Sequence, residues 1–244
     1  MMDNSTPRLN VAQLTGRDDS HLTELACGNQ MQGEAGEALL ALRGDAQEQG
    51  FDLAIASSFR SYERQQLIWN GKASGARPVH DDAGKPLAIE QLSSVELLHA
   101  ILRFSALPGS SRHHWGTDVD VYDAAAMSEN YSVQLSPQEV APGGVFDPLH
   151  SWLDRQIEAG KSHGFYRPYA SDTGGVSVER WHLSYAPLSI DCADRLSVGL
   201  LRACWDSGEG LLLRAELEEN LPEIIERYLT LADDWCPAHY RRTL

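Results

Sequence analysis

Residues 111–123 read SRHHWGTDVDVYD, and this segment decides the predicted fold. From Thr117 onward acidic residues alternate with valines, which is the pattern of a strand that places Asp118 and Asp120 on the same face. A second segment, VSVERWHLSY at 176–185, is rich in β-branched and aromatic residues and is predicted as another strand. If the two strands are neighbours in one sheet, polar side chains from both segments can meet at one point.

The rest of the chain mixes helical and extended patterns without a regular order. Helices are predicted over 33–50, 61–71, 94–104 and 148–162, strands over 51–57 and 165–169, and a loop over 129–145. Beyond Pro187 the pattern is helical, with interruptions at Gly208–Gly210 and Pro222. We therefore expect the α+β class, with a small antiparallel sheet that carries the site and is flanked by helices. The predicted division is a domain over 1–187 and a helical C-terminal extension over 188–244 that packs on the same domain.

Charge and composition limit the partners of this chain of 244 residues. The formal net charge is −15, which argues against nucleic acid as a partner because polyanions would be repelled. No stretch approaches the ~20 apolar residues of a membrane span, so no transmembrane segment is expected. The first residues lack the basic start and apolar run of a signal peptide. We therefore expect a cytoplasmic location, whereas a missing leader would allow a periplasmic one.

Cysteine usage points away from a cysteine metal site. The four cysteines stand at positions 27, 192, 204 and 236 and form no Cys-x-x-Cys pair. Cys192 and Cys204 lie in apolar surroundings, so we expect buried free thiols there rather than a disulfide.

Both predicted strands carry residue types that bind zinc in catalytic sites. Such a site usually has three histidine or carboxylate ligands and one position left for water, with a nearby carboxylate that accepts a proton. His113, Asp120 and His182 can supply the ligands. Glu179, three residues before His182, can supply the nearby carboxylate. A lone histidine is more often a surface or core residue, so the hypothesis rests on the combination.

Three segments resemble the VanY-type D-alanyl-D-alanine carboxypeptidases. SRHHWGTDVD (111–120) is similar to their S-x-H-x-x-G-x-x-x-D segment, and ERWH (179–182) is similar to their E-x-W-H. SSFRSYERQ (57–65) resembles their S-G-Y-R-S-x-x-x-Q, although Ser58 and Phe59 replace the glycine and the tyrosine. Asp118 stands where these carboxypeptidases commonly have a small residue; it could orient a ligand histidine or compete with Asp120, which is the preferred ligand.

The resemblance implies a role for each matching residue. It implies zinc (Zn²⁺) bound by His113, Asp120 and His182, with Glu179 as the general base toward the attacking water. Arg60 would be catalytic as well, because it would hold a substrate carboxylate or polarise the scissile carbonyl. The remaining matches would be two residues that line the substrate site and one that supports the metal-bearing strand: Gln65, Ser111 and Trp181. His114 is expected to be a bystander or a substrate contact and not a ligand.

The implied function is a zinc metallopeptidase that removes the terminal D-Ala of peptidoglycan-derived peptides, with D,D- or L,D-specificity left open. Murein endopeptidases and D-Ala-D-Ala dipeptidases belong to the same wider group and are the nearest alternatives. A non-catalytic zinc- or peptide-binding module is the alternative from another class. A degenerate module would be expected to lose the base or a ligand, and this chain keeps Glu179 and all three proposed ligands.

Overall fold

A four-stranded antiparallel sheet positions the candidate site. The computed structural model describes residues 8–25, 28–208 and 210–231. The strands are β1 (Thr23–Glu24), β2 (Gln30–Met31), β3 (Leu53–Ser57), β4 (Asp118–Asp123), β5 (Phe165–Tyr166) and β6 (His182–Tyr185). The larger sheet has the order β3-β4-β6-β5 with every pair antiparallel, while β1 and β2 form a separate hairpin.

Helices surround this sheet and make up most of the C-terminal part. They are α1 (Val11–Leu14), α2 (Gly33–Glu48), α3 (Tyr62–Ala73), α4 (Ser94–Leu102), α5 (Pro137–Val140), α6 (Asp147–Glu158), α7 (Ala186–Ala193), α8 (Val198–Asp206) and α9 (Arg214–Ile224). The predicted α+β class, with a small antiparallel sheet, flanking helices and C-terminal helices, is confirmed. Among the described residues, no helix is both long and apolar enough to span a membrane.

Two predicted strands are shorter than expected. Of the predicted strand 176–185 only β6 forms, because the backbone before it bonds to loops: the Glu179 N–H donates to the carbonyl of Tyr169 at 3.1 Å. The predicted strand 165–169 ends after Tyr166, since Pro168 has no N–H to offer a neighbouring strand. A hydrogen bond to a loop overrides the β-propensity of the first segment, and a local proline ends the second.

Two other predictions need correction. The predicted loop 129–145 contains α5, which begins at Pro137 and has a capping box between Ser136 and Glu139. Pro222 does not interrupt the C-terminal helix, because α9 runs through it. A proline there leaves the carbonyl of Glu218 without its helical donor, and the Arg202 guanidinium approaches that oxygen at 3.4 Å.

Two hydrophobic clusters hold the elements together. One lies between the sheet and the helices α2 and α6, and includes Leu42, Val121 and Leu153. The other lies among α3, α4, α8 and α9, with Trp69 and Trp205 at its centre. Helices on both sides of the predicted boundary at 187 thus share one core, and that boundary falls inside α7. The division into 1–187 and 188–244 stays a prediction, and residues 232–244 lie outside the described part.

The cysteines that the structure describes agree with the prediction, since Cys192 and Cys204 are buried and free. Cys192 packs in a small cluster with Leu14 and Trp115. Burial raises the pKa of the Cys192 thiol to about 12, so this thiol is unreactive at neutral pH. Cys27 and Cys236 lie outside the described residues.

Candidate metal centre

The register of the larger sheet brings residues from both segments together. In the pairing of β4 with β6, Asp120 lies opposite His182 and Asp118 lies opposite Ser184. Side chains two residues apart on a strand share a face, so both aspartates of β4 point toward the same side as His182. The alternation predicted over Thr117–Asp123 is therefore the feature that builds the site.

His113 reaches the same point from a 3-10 turn, Arg112–Trp115, which ends at Gly116 just before β4. Gly116 has φ +69°, in the left-handed region that favours glycine. The Nδ1 atom of His113 lies 2.8 Å from the carbonyl oxygen of Ser58, which can only accept, so Nδ1 carries the proton. The Nε2 atom keeps its lone pair and lies 3.3 Å from Oδ2 of Asp120.

His182 is oriented in the same way by Asp118. Its Nε2 lies 2.9 Å from Oδ1 of Asp118, which accepts the Nε2 proton. Its Nδ1 then lies 3.3 Å from Oδ1 of Asp120 and 3.4 Å from Oε2 of Glu179. Asp118 also accepts hydrogen bonds from Arg112 at 2.8 Å and from Thr117 at 2.6 Å. With its oxygens so engaged, Asp118 fits the role of orienting His182, while Asp120 faces both histidines.

The charges of this cluster depend on its burial. Burial would raise the pKa of Asp118, but the Arg112 guanidinium together with His182 and Thr117 outweighs it and holds that pKa at about 2. Burial would likewise raise the pKa of Asp120, but His113 and His182 hold it well below its usual range. Burial would lower the pKa of His182, whereas hydrogen bonds to the surrounding carboxylates raise it well above its ordinary value. The pocket between these side chains therefore favours a positive charge.

The donor set fits a divalent zinc ion. One ligand atom from each of His113, Asp120 and His182 lies within 4.8 Å of the others, and all three side chains are buried. Zinc bonds of about 2.1 Å at tetrahedral angles separate the ligand atoms by about 3.4 Å, and Asp120 lies 3.3 Å from each histidine, through Oδ2 to His113 and through Oδ1 to His182. Within the described part of the chain, Oδ1 of Asp120 accepts no hydrogen bond although it is buried. A cation would satisfy this oxygen and the two imidazole lone pairs together.

Glu179 lies beside this cluster on the irregular segment before β6, and not on a strand. Its Oε2 faces Nδ1 of His182, and 14% of its side chain remains exposed. Glu179 also lines the cleft that opens over the cluster. Its carboxylate is thus close to the candidate metal position and open to water.

Arg60 lies just before α3 and is largely buried. Its guanidinium donates to Oε1 of Gln65 and to Oγ of Ser57, both at 3.0 Å. Burial lowers the pKa of Arg60, and the negative charges of Asp120 and Glu179 act against that shift. Gln65, which we expected to line the substrate site, is instead fully buried behind Arg60, where its amide donates to the carbonyl of Ala106 at 2.7 Å. The structure places Gln65 as a support for Arg60.

Two residues of the SRHH run have contacts that the sequence reasoning missed. Arg112 is buried and donates to Asp118, Tyr166 and Ser184, so it anchors the carboxylate that orients His182. His114 is buried too: its Nδ1 lies 2.6 Å from the carbonyl oxygen of Arg60, and its Nε2 accepts from the Gly109 N–H at 3.0 Å. Burial lowers the pKa of His114 to about 3, so it is neutral and supports the backbone of Arg60. Their position beside His113 was the only sequence signal for either role.

A cleft of about 520 Å³ opens over the cluster. His113, Asp120 and His182 lie in its wall together with Glu179 and Arg60. Ser111 and Trp181 line it as well. Trp181 also packs against Val140 and Phe146, which anchors the segment before β6.

Comparisons with known proteins agree with the motifs. The family model for VanY D-alanyl-D-alanine carboxypeptidase matches residues 28–188, about two thirds of the chain. An uncharacterized protein of Haemophilus influenzae is 47% identical over 104 residues, which cover 41% of this chain and 71% of the relative.

Solved structures that resemble this chain include two VanY proteins. A mutant of the D,D-pentapeptidase VanY from the VanB-type resistance cassette, in complex with Zn(II), is 25% identical with a TM-score of 0.46, covering 67% of this chain and 77% of that one. VanYB in complex with D-alanine-D-alanine is 20% identical with a TM-score of 0.49, covering 83% and 91%. On the match over residues 28–188, this chain belongs to the VanY family of D-alanyl-D-alanine carboxypeptidases.

Proposed function

We propose that the protein is a zinc-dependent carboxypeptidase that hydrolyses the terminal D-Ala peptide bond of peptidoglycan-type peptides, with D,D- or L,D-specificity. The observation that carries the proposal is the convergence of His113, Asp120 and His182 on one point, with Glu179 beside it and a cleft above it. Membership in the VanY family supports a substrate peptide that ends in D-alanine.

His113, Asp120 and His182 would hold the ion, each with one donor atom directed at the same point. Zinc in such a site acts as a Lewis acid on a carbonyl oxygen and makes water a far stronger acid, with a pKa near 7. Ser58 and Asp118 keep the two histidines in the tautomers that leave a lone pair for the ion.

Glu179 would move the proton. Its Oε2 lies beside the metal position, so it can take a proton from the attacking water and pass it to the leaving amine. Arg60 carries the fixed positive charge on the same side of the cleft. It can hold the substrate carboxylate or stabilise negative charge that develops on the scissile carbonyl oxygen.

The test is a panel of defined substrates for the purified, zinc-loaded protein: a stem pentapeptide, a stem tetrapeptide and a cross-linked dimer, with products identified by mass spectrometry. We expect release of a single D-alanine from the pentapeptide or the tetrapeptide, which a chelator stops and added zinc restores. Cleavage of the dimer alone, or release of a D-Ala-D-Ala dipeptide, would reassign the protein to the endopeptidases or dipeptidases. No metal-dependent cleavage of any of the three would refute the enzyme proposal.

A further inference from the structure

Lys72 is a second cation in the cleft wall that the proposed mechanism does not use. It stands in the last turn of α3 and lines the same cleft as Arg60 and Glu179. Its Nζ donates to Oγ of Ser105 at 2.7 Å. Within the described part of the chain it forms no ion pair, so at least one of its three N–H groups is available to a ligand.

Of the cations that line this cleft, Arg112 pairs with Asp118, whereas Arg60 and Lys72 have neutral hydrogen-bond partners in a strongly acidic protein. The chain has a net charge of −15, yet Arg60 donates to an amide and a hydroxyl and Lys72 donates to a hydroxyl. A buried charge without a counter-ion is costly, and burial accordingly lowers the pKa of Lys72, which the charge of Glu179 opposes. Two cations in one cleft that form no ion pair within the described part of the chain point to a ligand that brings negative charge to both.

The two cations enter the cleft from opposite ends of α3. Arg60 precedes the helix, and its backbone N–H donates to the carbonyl oxygen of His113 at 3.1 Å, which places it at the metal end. Lys72 lies near the other end of the helix, roughly 16 Å along the axis from Ser61 at a rise of about 1.5 Å per residue, and it lines the same cleft. The guanidinium is held by two hydrogen bonds, whereas the ammonium is a flexible point charge.

We propose that Lys72 binds the C-terminal carboxylate of the peptide, so that Arg60 is left to stabilise the oxygen of the scissile carbonyl. This inference rests on the proposed function. It assigns the substrate carboxylate to Lys72 and the scissile carbonyl oxygen to Arg60, two roles that were both open for Arg60. A rigid, pre-oriented donor suits charge that develops at a defined position, and a mobile ammonium suits a carboxylate already charged in the substrate. Lys72 is then the residue that makes the cleft select a free chain end.

The test compares two peptides that differ only at the C-terminus, one ending in D-alanine and the other in D-alanine amide. The readout is the ratio of kcat/KM for the acid over the amide. Lys72→Met keeps the length of the side chain and removes its charge. Since hydrogen bonds to charged groups contribute about 10- to 100-fold, we expect that ratio to fall by this factor, mainly through KM for the acid. Lys72→Arg should retain most of the preference.

Arg60→Met and Lys161→Met provide the contrast. Arg60→Met should lower kcat for the acid and the amide alike. Lys161 is an exposed lysine outside the cleft, and its replacement should leave the ratio as it is in the parent. Zinc content and thermal midpoints verify folding, and Lys72→Gln takes the place of Lys72→Met if the latter does not fold.

Two results would overturn the inference. A parent without preference for the acid has no site for the carboxylate. An unchanged ratio in Lys72→Met, whether neither peptide or both peptides lose turnover equally, would mean that Lys72 binds another part of the substrate or only supports the cleft. These results leave the proposed function intact, whereas a parent that cleaves neither peptide refutes the proposed function, and the inference falls with it.

Discussion

Replacing Asp118 by asparagine tests whether a buried charge pair holds the candidate metal centre together. Asp118 is fully buried and pairs with Arg112, whose other hydrogen-bond partners, Tyr166 and Ser184, are neutral. Asparagine retains an oxygen that can accept from Arg112 and from His182, and its NH2 group replaces the oxygen that accepts from Thr117, whose hydroxyl can turn to accept instead. The guanidinium is then a buried cation without a counter-ion.

The expected cost is large for a single polar substitution. Removing one partner of a buried ion pair typically destabilises a protein by about 3–5 kcal/mol. Because asparagine preserves the hydrogen bonds from Arg112 and His182, we expect the lower end, about 3 kcal/mol, in the free energy of unfolding. The loss of the carboxylate that orients His182 should also weaken zinc binding by about 10- to 100-fold.

Urea unfolding in the presence of a chelator measures the loss of stability without any contribution from zinc, and titration with zinc measures the loss of affinity. The double variant Arg112→Met with Asp118→Asn should recover most of the stability, because it removes the stranded cation. Asp52→Asn is the matched control: its partner Arg43 is exposed, so the cost should stay below about 1 kcal/mol. An Asp118→Asn variant within about 0.5 kcal/mol of the parent would refute the reasoning.

Three further predictions follow from burial, backbone geometry and metal binding. Burial, with the charges of Arg167 and Arg180, lowers the pKa of His150 from 6.5 to about 3. As the pH falls, the unfolded chain therefore binds this proton before the folded chain does, so the stability present above pH 6.5 should be lost toward pH 3 at up to about 1.4 kcal/mol per pH unit. Urea unfolding at several pH values measures this dependence of the unfolding free energy on pH. In His150→Gln the dependence should be smaller by the contribution of one proton, and an equal dependence would contradict the prediction. Gly116→Ala should cost about 2–4 kcal/mol in thermal or urea unfolding, because φ is +69° and a Cβ would lie 2.2 Å from a methyl carbon of Leu22; a cost near zero would contradict the geometry. Zinc at 1,000 times its Kd should stabilise the parent by about 4 kcal/mol and the Asp120→Ala variant far less; equal stabilisation of both would place the ion elsewhere.

The candidate metal centre was predictable because its residues lie in two short segments of the sequence. The alternation of Val119 and Val121 with Asp118 and Asp120 determines which side chains share a face. A second strand with His182 at its start needs only the antiparallel register to complete the set. The spacing of residues within the motifs therefore predicted which side chains meet, and the mixture of helical and strand patterns predicted the α+β class.

What could not be predicted depends on contacts between distant segments. The burial of Gln65 behind Arg60 arises because α3 packs against the segment around Ala106, which no local pattern reveals. The partners of Arg112 come from Tyr166 and Ser184, more than fifty residues further along the chain. Glu179 lies off the strand because its backbone bonds to Tyr169 instead of to β4.

The most direct test of the central claim is the turnover of a Glu179→Ala variant whose zinc content is measured in the same sample. Glu179 faces the candidate metal position without belonging to the ligand set, so zinc should stay at the parental level. Turnover of a D-Ala-terminated stem peptide should fall by about 10²- to 10⁴-fold, which is the usual contribution of a general base. Glu37→Ala, an exposed acid on α2, should leave both quantities unchanged. Parental turnover by a zinc-loaded Glu179→Ala variant would contradict the account.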